Sequence, residues 1–89
     1  MKLCELLYIQ KVGGETLTTE EITNFCYQGL DGADFNKNAW GAFDENGKIL
    51  TCKGQFHYEH VNDFVEYFKD SKSIVLHLRL STSGDHTLP

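Results

Sequence analysis

Proline is nearly absent from this chain, one residue in 89, and no apolar run approaches the roughly 18 residues that a membrane-spanning helix needs. A proline-rich linker and a bilayer span are both excluded. Positive charge is also scarce: eight Lys and Arg against thirteen Asp and Glu leave a net charge of −5, which repels a phosphate backbone and argues against nucleic acid and membrane surfaces as partners. Cysteine is limited to Cys4, Cys26 and Cys52, an odd number with no C-x-x-C spacing, so no disulfide framework is indicated and reduced thiols are expected. The opening MKLCELLYIQK turns polar too soon for a signal peptide, and a cytoplasmic chain is expected. What is present, 40% hydrophobic residues with 12% aromatics, suits one small domain with a thin core.

Leu3 to Ile9 is an apolar run of strand length and reads as a buried strand before the turn at Gly13-Gly14. Thr18-Thr19-Glu20-Glu21 carries an N-cap candidate and first-turn acids, and Ile22, Phe25, Cys26 and Leu30 follow as one stripe. This predicts a helix over about 19–28, stopped by Gly29, and then a loop over 29–38. Two short runs, 39–43 and 48–53, flank Asn46-Gly47, a strong hairpin signal because both positions accept positive φ. Val61, Phe64, Val65 and Phe68 repeat at helical spacing within about 58–69, and Ser73 to Leu80 reads as a strand with Leu76, Leu78 and Leu80 on one face and His77 and Arg79 on the other. The order β, α, β-hairpin, α, β gives an α+β chain with a mainly antiparallel sheet on two helices. Trp40, Phe43 and the Val61–Phe68 stripe are assigned to the core, and Cys26 and Cys52 to packing. His57 and His60, spaced i, i+3 without a third ligand, are assigned to the surface, so neither a metal nor a cofactor is expected.

Three segments carry a resemblance: Cys4-Glu5-Leu6-Leu7, Ala39-Trp40-Gly41-Ala42-Phe43 before the Asn-Gly turn, and His77-Leu78-Arg79-Leu80-Ser81-Thr82-Ser83-Gly84. In this order, over nearly the whole chain, they are similar to the first half of the class II glutamine amidotransferases, members of the N-terminal nucleophile hydrolase superfamily. The resemblance implies a partial αββα sandwich and hydrolysis of the glutamine side-chain amide. Cys4 would be the nucleophile, with its own free α-amine as base once Met1 to Leu3 are removed. Arg79 would clamp the α-carboxylate of glutamine, and Thr82, with the backbone around Leu80 and Ser83, would line the same pocket.

The family's oxyanion-hole element follows the His-x-Arg strand and falls past Pro89, so the 89 residues are expected to be inactive alone. Half a sandwich also implies a bare apolar sheet face, hence a homo-oligomer or a complementing chain. The alternative is a non-catalytic binding or inhibitory protein, an accessory or viral-type factor built on half the fold; a fragment of a longer enzyme is the third reading. Taken without the resemblance, Cys4 is a buried thiol, His77 a structural histidine, and Arg79 a residue that snorkels or pairs with an acid.

Overall fold

The computed structural model describes residues 4–34 and 36–79. Strands β1 (Cys4–Gln10), β2 (Ala39–Asp44), β3 (Ile49–Lys53) and β4 (Ser73–Arg79) form one sheet in the order β1-β4-β2-β3, antiparallel throughout. Helices α1 (Thr19–Ala33) and α2 (Val61–Phe68) pack on one face of it. The expected α+β class and element order are observed.

Period-two alternation makes β4 the centre of the packing. Ile74, Leu76 and Leu78 point at the helices and are fully buried, while Val75, His77 and Arg79 point the other way. Burying each of those three side chains contributes roughly 1.5–3 kcal/mol. An aromatic cluster completes the helical side: Trp40 meets Phe56 at 4.8 Å between ring centroids, and Phe64 meets Phe68 at 4.9 Å.

Local chemistry sets the ends of the elements. Thr18 caps α1, its hydroxyl accepting from Glu21 N at 3.0 Å while the Glu21 carboxylate accepts from Thr18 N at 2.8 Å, and Lys11 also reaches that carboxylate at 2.8 Å. In the hairpin, Gly47 takes φ 86°, and Asp44 Oδ1 accepts from Asn46 N and Lys48 N, each at 2.9 Å. The other Asp44 oxygen accepts from Ser71 Oγ at 2.5 Å, and the Glu45 carboxylate accepts from the backbone of Lys72 and Ser73. The turn therefore also anchors the start of β4.

Five expectations are corrected. Helix α1 runs through Gly29 to Ala33, shortening the expected 29–38 loop, because Gly29 and Gly32 are contact points of the helix against the sheet. The second helical segment is a 3₁₀ turn over Tyr58–His60 followed by α2, not one α-helix. β1 is an edge strand with Leu6 and Tyr8 exposed, and Phe43 is exposed as well, since among the described residues only one face of the sheet carries a helical layer. His60 is half-buried rather than solvated: its ring stacks on Phe56 and sits 5.3 Å from Trp40, and its Nδ1 accepts from His57 N.

A Cβ on Gly29 would lie 2.6 Å from Leu76 Cδ2, a buried atom with no room to yield. Gly29→Ala should therefore destabilise by about 1–3 kcal/mol in urea unfolding despite the helix propensity of alanine. Gly32→Ala meets only the flexible end of Glu5, 2.6 Å away, and should be neutral or slightly stabilising. Burial opposes ionisation of Glu45, but donation from the backbone N–H groups of Lys72, Glu45 itself and Ser73 outweighs it and lowers its pKa. Its contribution is thus present above the usual carboxylate range and lost as pH falls through the folded pKa. Glu45→Gln should lower the urea midpoint at pH 7 and have little effect at strongly acidic pH.

Candidate functional site

The face of the sheet away from the helices is organised in rungs that cross all four strands. Strand pairing places Cys4, Arg79, Ala39 and Lys53 on one rung, Leu6, His77, Gly41 and Thr51 on the next of the same face, and Tyr8, Val75, Phe43 and Ile49 on the third. Half of the residues on the first two are polar, and those on the third are aromatic or aliphatic. At the polar end lies an open cavity of about 390 Å³, lined by Ala39, Gly41, Thr51, Lys53, His77 and Arg79. That volume suits a single small molecule.

Its shape follows from residue choice. Gly41 contributes no side chain between His77 and Thr51, and its missing Cβ would touch Thr51 Cγ2 at 3.3 Å. Two loop hydrogen bonds hold this end of the sheet together, Asn38 N to Arg79 O at 2.9 Å and Gly54 N to Asn38 O at 2.8 Å. The cavity floor is thereby part of the ladder rather than of a mobile loop.

Cation chemistry dominates the rim. Among the described residues the ion pairs are Lys11–Glu21 and Lys69–Glu66, and neither Arg79 nor Lys53 has a carboxylate partner. In a chain of net charge −5, two cations thus share one rung with no acidic partner among the described residues. Of the two alternatives for Arg79, snorkelling or pairing with an acid, the pair does not form among the described residues, nor does the His77 ring find a hydrogen-bond partner there.

Of the expected site residues, Arg79 lines the cavity and Cys4 is its directly opposed partner on β1. Directly opposed residues of an antiparallel ladder have Cα atoms roughly 5 Å apart. For Cys4 the description stops at the backbone, and Thr82 and Ser83 lie outside the described residues. Lys53 and Thr51 were not singled out from the sequence. The signal was available for them: the Asn46-Gly47 turn sets Phe43 against Ile49 and therefore Ala39 against Lys53.

The remaining thiols sit elsewhere. Cys26 is buried beneath α1, and burial pushes its pKa up to about 12; Cys52 is half-buried on the helical side of β3. No group of three metal-ligating side chains converges among the described residues, and none of their helices is long and apolar enough to cross a membrane. Compared with protein-family models and with curated proteins, the sequence matches none.

Because the thiolate is the reactive form, Cys26 should resist iodoacetamide at pH 8 in the folded protein and react only after unfolding in urea. Peptide mass mapping of the alkylated chain checks this; rapid native modification of Cys26 would contradict its burial.

Proposed function

We propose that this chain is the glutamine-holding half of an amidotransferase-type domain, with Cys4 as nucleophile and Arg79 as clamp for the α-carboxylate of glutamine. The observation that carries this reading is the rung on which Cys4 lies directly opposite an Arg79 that has no carboxylate partner among the described residues, at the edge of a cavity. A planar guanidinium donates to both oxygens of a carboxylate, and Lys53 on the same rung adds to the positive potential.

The reaction has two halves. The Cys4 thiolate attacks the side-chain amide carbon, and the C–N bond breaks as the nitrogen takes a proton and leaves as ammonia. Water then cleaves the thioester, releasing glutamate and restoring the thiol. Once Met1 to Leu3 are removed, the α-amine of Cys4, of pKa near 8, serves as the base in both halves. The sheet with its single helical layer corresponds in this reading to half of an αββα sandwich, and the oxyanion donors belong to the half that packs on the bare face. A lost oxyanion donor costs about 10²–10³ in rate, so the chain from Cys4 to Pro89 alone binds and reacts at Cys4 but turns over poorly.

A glutamine-like diazoketone tests nucleophile and clamp together without requiring turnover. The mature protein should begin at Cys4 by intact mass and take up one equivalent of label on Cys4. Millimolar glutamine should protect it, and Arg79→Ala should slow labelling at least tenfold. A chain that retains Met1 to Leu3, or labelling equal in Arg79→Ala and insensitive to glutamine, would leave the non-catalytic binding protein as the correct account.

A further inference from the structure

The hairpin turn joins an asparagine to a glycine at its most open point. Asn46 and Gly47 are both exposed, Gly47 takes φ 86°, and a Cβ built on it would meet nothing within 4 Å. The backbone nitrogen of Gly47 therefore lies next to the Asn46 carboxamide with no side chain to screen it. Its hydrogen bond, to Asp44 O at 3.2 Å, is at the long end of the usual range. The other asparagines all precede residues that carry side chains: Asn24 and Asn62 lie within α1 and α2, Asn36 is buried, and Asn38 is followed by Ala39. We infer that Asn46-Gly47 is a self-modification site: the folded chain converts Asn46 into aspartyl and isoaspartyl residues, with water as the co-reactant, and the product loosens the join between the hairpin and β4.

The chemistry is intramolecular. Once its proton has passed to hydroxide, the Gly47 nitrogen attacks Asn46 Cγ; a new C–N bond forms, the carboxamide C–N bond breaks, and the carboxamide nitrogen takes a proton from water and leaves as ammonia. Water then opens the five-membered imide at either carbonyl. Breaking the bond between Gly47 N and Cγ gives aspartate; breaking the one to the backbone carbonyl carbon gives isoaspartate, whose main chain runs through Cβ and Cγ. Each conversion consumes one water and releases one ammonia. Both products act on the anchor at the start of β4. Asn46 Nδ2 donates to Glu45 Oε2 at 3.1 Å, and the same carboxylate accepts from Lys72 N and Ser73 N, each at 3.0 Å. Conversion removes that donor and sets a third carboxylate beside those of Asp44 and Glu45, in a chain already at −5. Isoaspartate also lengthens a turn that closes through Gly47 N on Asp44 O and Asp44 N on Lys48 O. The first residues of β4 then lose part of their hold, whatever ligand the far end of the sheet takes.

Peptide mass mapping of the full folded chain, kept at about pH 8 and 37 °C, reads the conversion. The Asn46 peptide should gain the mass that separates a carboxylic acid from a carboxamide, at least ten times faster than any other asparagine peptide. Its rate should rise with pH, because the Gly47 nitrogen attacks without its proton, and ammonia should appear in equal amount. Asn46→Gln should slow the conversion at least tenfold, with far-UV circular dichroism reporting that the variant is folded. The converted chain should unfold at a lower urea midpoint than the fresh one. Asn46→Asp, which supplies the charge without the longer turn, should fall between the two and move back toward the fresh chain in high salt. An Asn46 that stays intact in the folded chain while the urea-unfolded chain converts it overturns the inference, since the turn then shields it. A converted chain with the urea midpoint of the fresh one overturns the effect on β4. Labelling of Cys4 enters neither readout, so this result is separate from the fate of the glutamine reading.

Discussion

The structure depends on one strand having two different faces. In β4, Ile74, Leu76 and Leu78 close the core under α1 and α2, and the same alternation delivers Val75, His77 and Arg79 to the opposite surface. β4 pairs with the first strand on one side and with the hairpin on the other, so its register orders both. A one-residue slip would bury His77 and Arg79 and expose the leucines, a change the core cannot tolerate. The position of Arg79 is thus secured by leucines that never touch a ligand.

The bare face divides into two territories with different chemistry. Toward the Arg79 end it is cationic and recessed at Gly41; toward the Asp44-Glu45 turn it is apolar and flat. The hairpin links them: its turn anchors the start of β4 through Asp44 and Glu45, while its far end carries Ala39 and Lys53 into the cavity rung. The cavity rests on ladder hydrogen bonds at every strand, which makes its floor rigid.

Where sequence reading went astray, a neighbour supplied the missing information. Gly29 resembles a helix stop because glycine is a poor helix residue in isolation, yet Leu76 and Phe56 press so closely on that turn that only glycine fits. Phe43 and the first strand were assigned to the interior because hydrophobicity implies burial. Whether a strand is covered on one face or two is a property of the layers around it, and the described residues supply one helical layer. His60 was placed in solvent because its spacing with His57 offered no third ligand, whereas the aromatic cluster formed by Trp40 and Phe56 draws its ring inward.

Elements and faces were determined by the sequence alone. The alternation of SIVLHLR, the capping pair Thr18 and Glu21, the Asn46-Gly47 turn and the Val61–Phe68 stripe are local patterns whose periods match one backbone conformation each. They include the assignment of His77 and Arg79 to one face. Only the tertiary structure decided that β1 lies against β4, which rung joins Cys4 to Arg79, and that the described residues place both helices on the other face. Pairing between strands more than sixty residues apart is settled by which arrangement buries the most apolar surface over the whole chain, a global balance that no local pattern encodes.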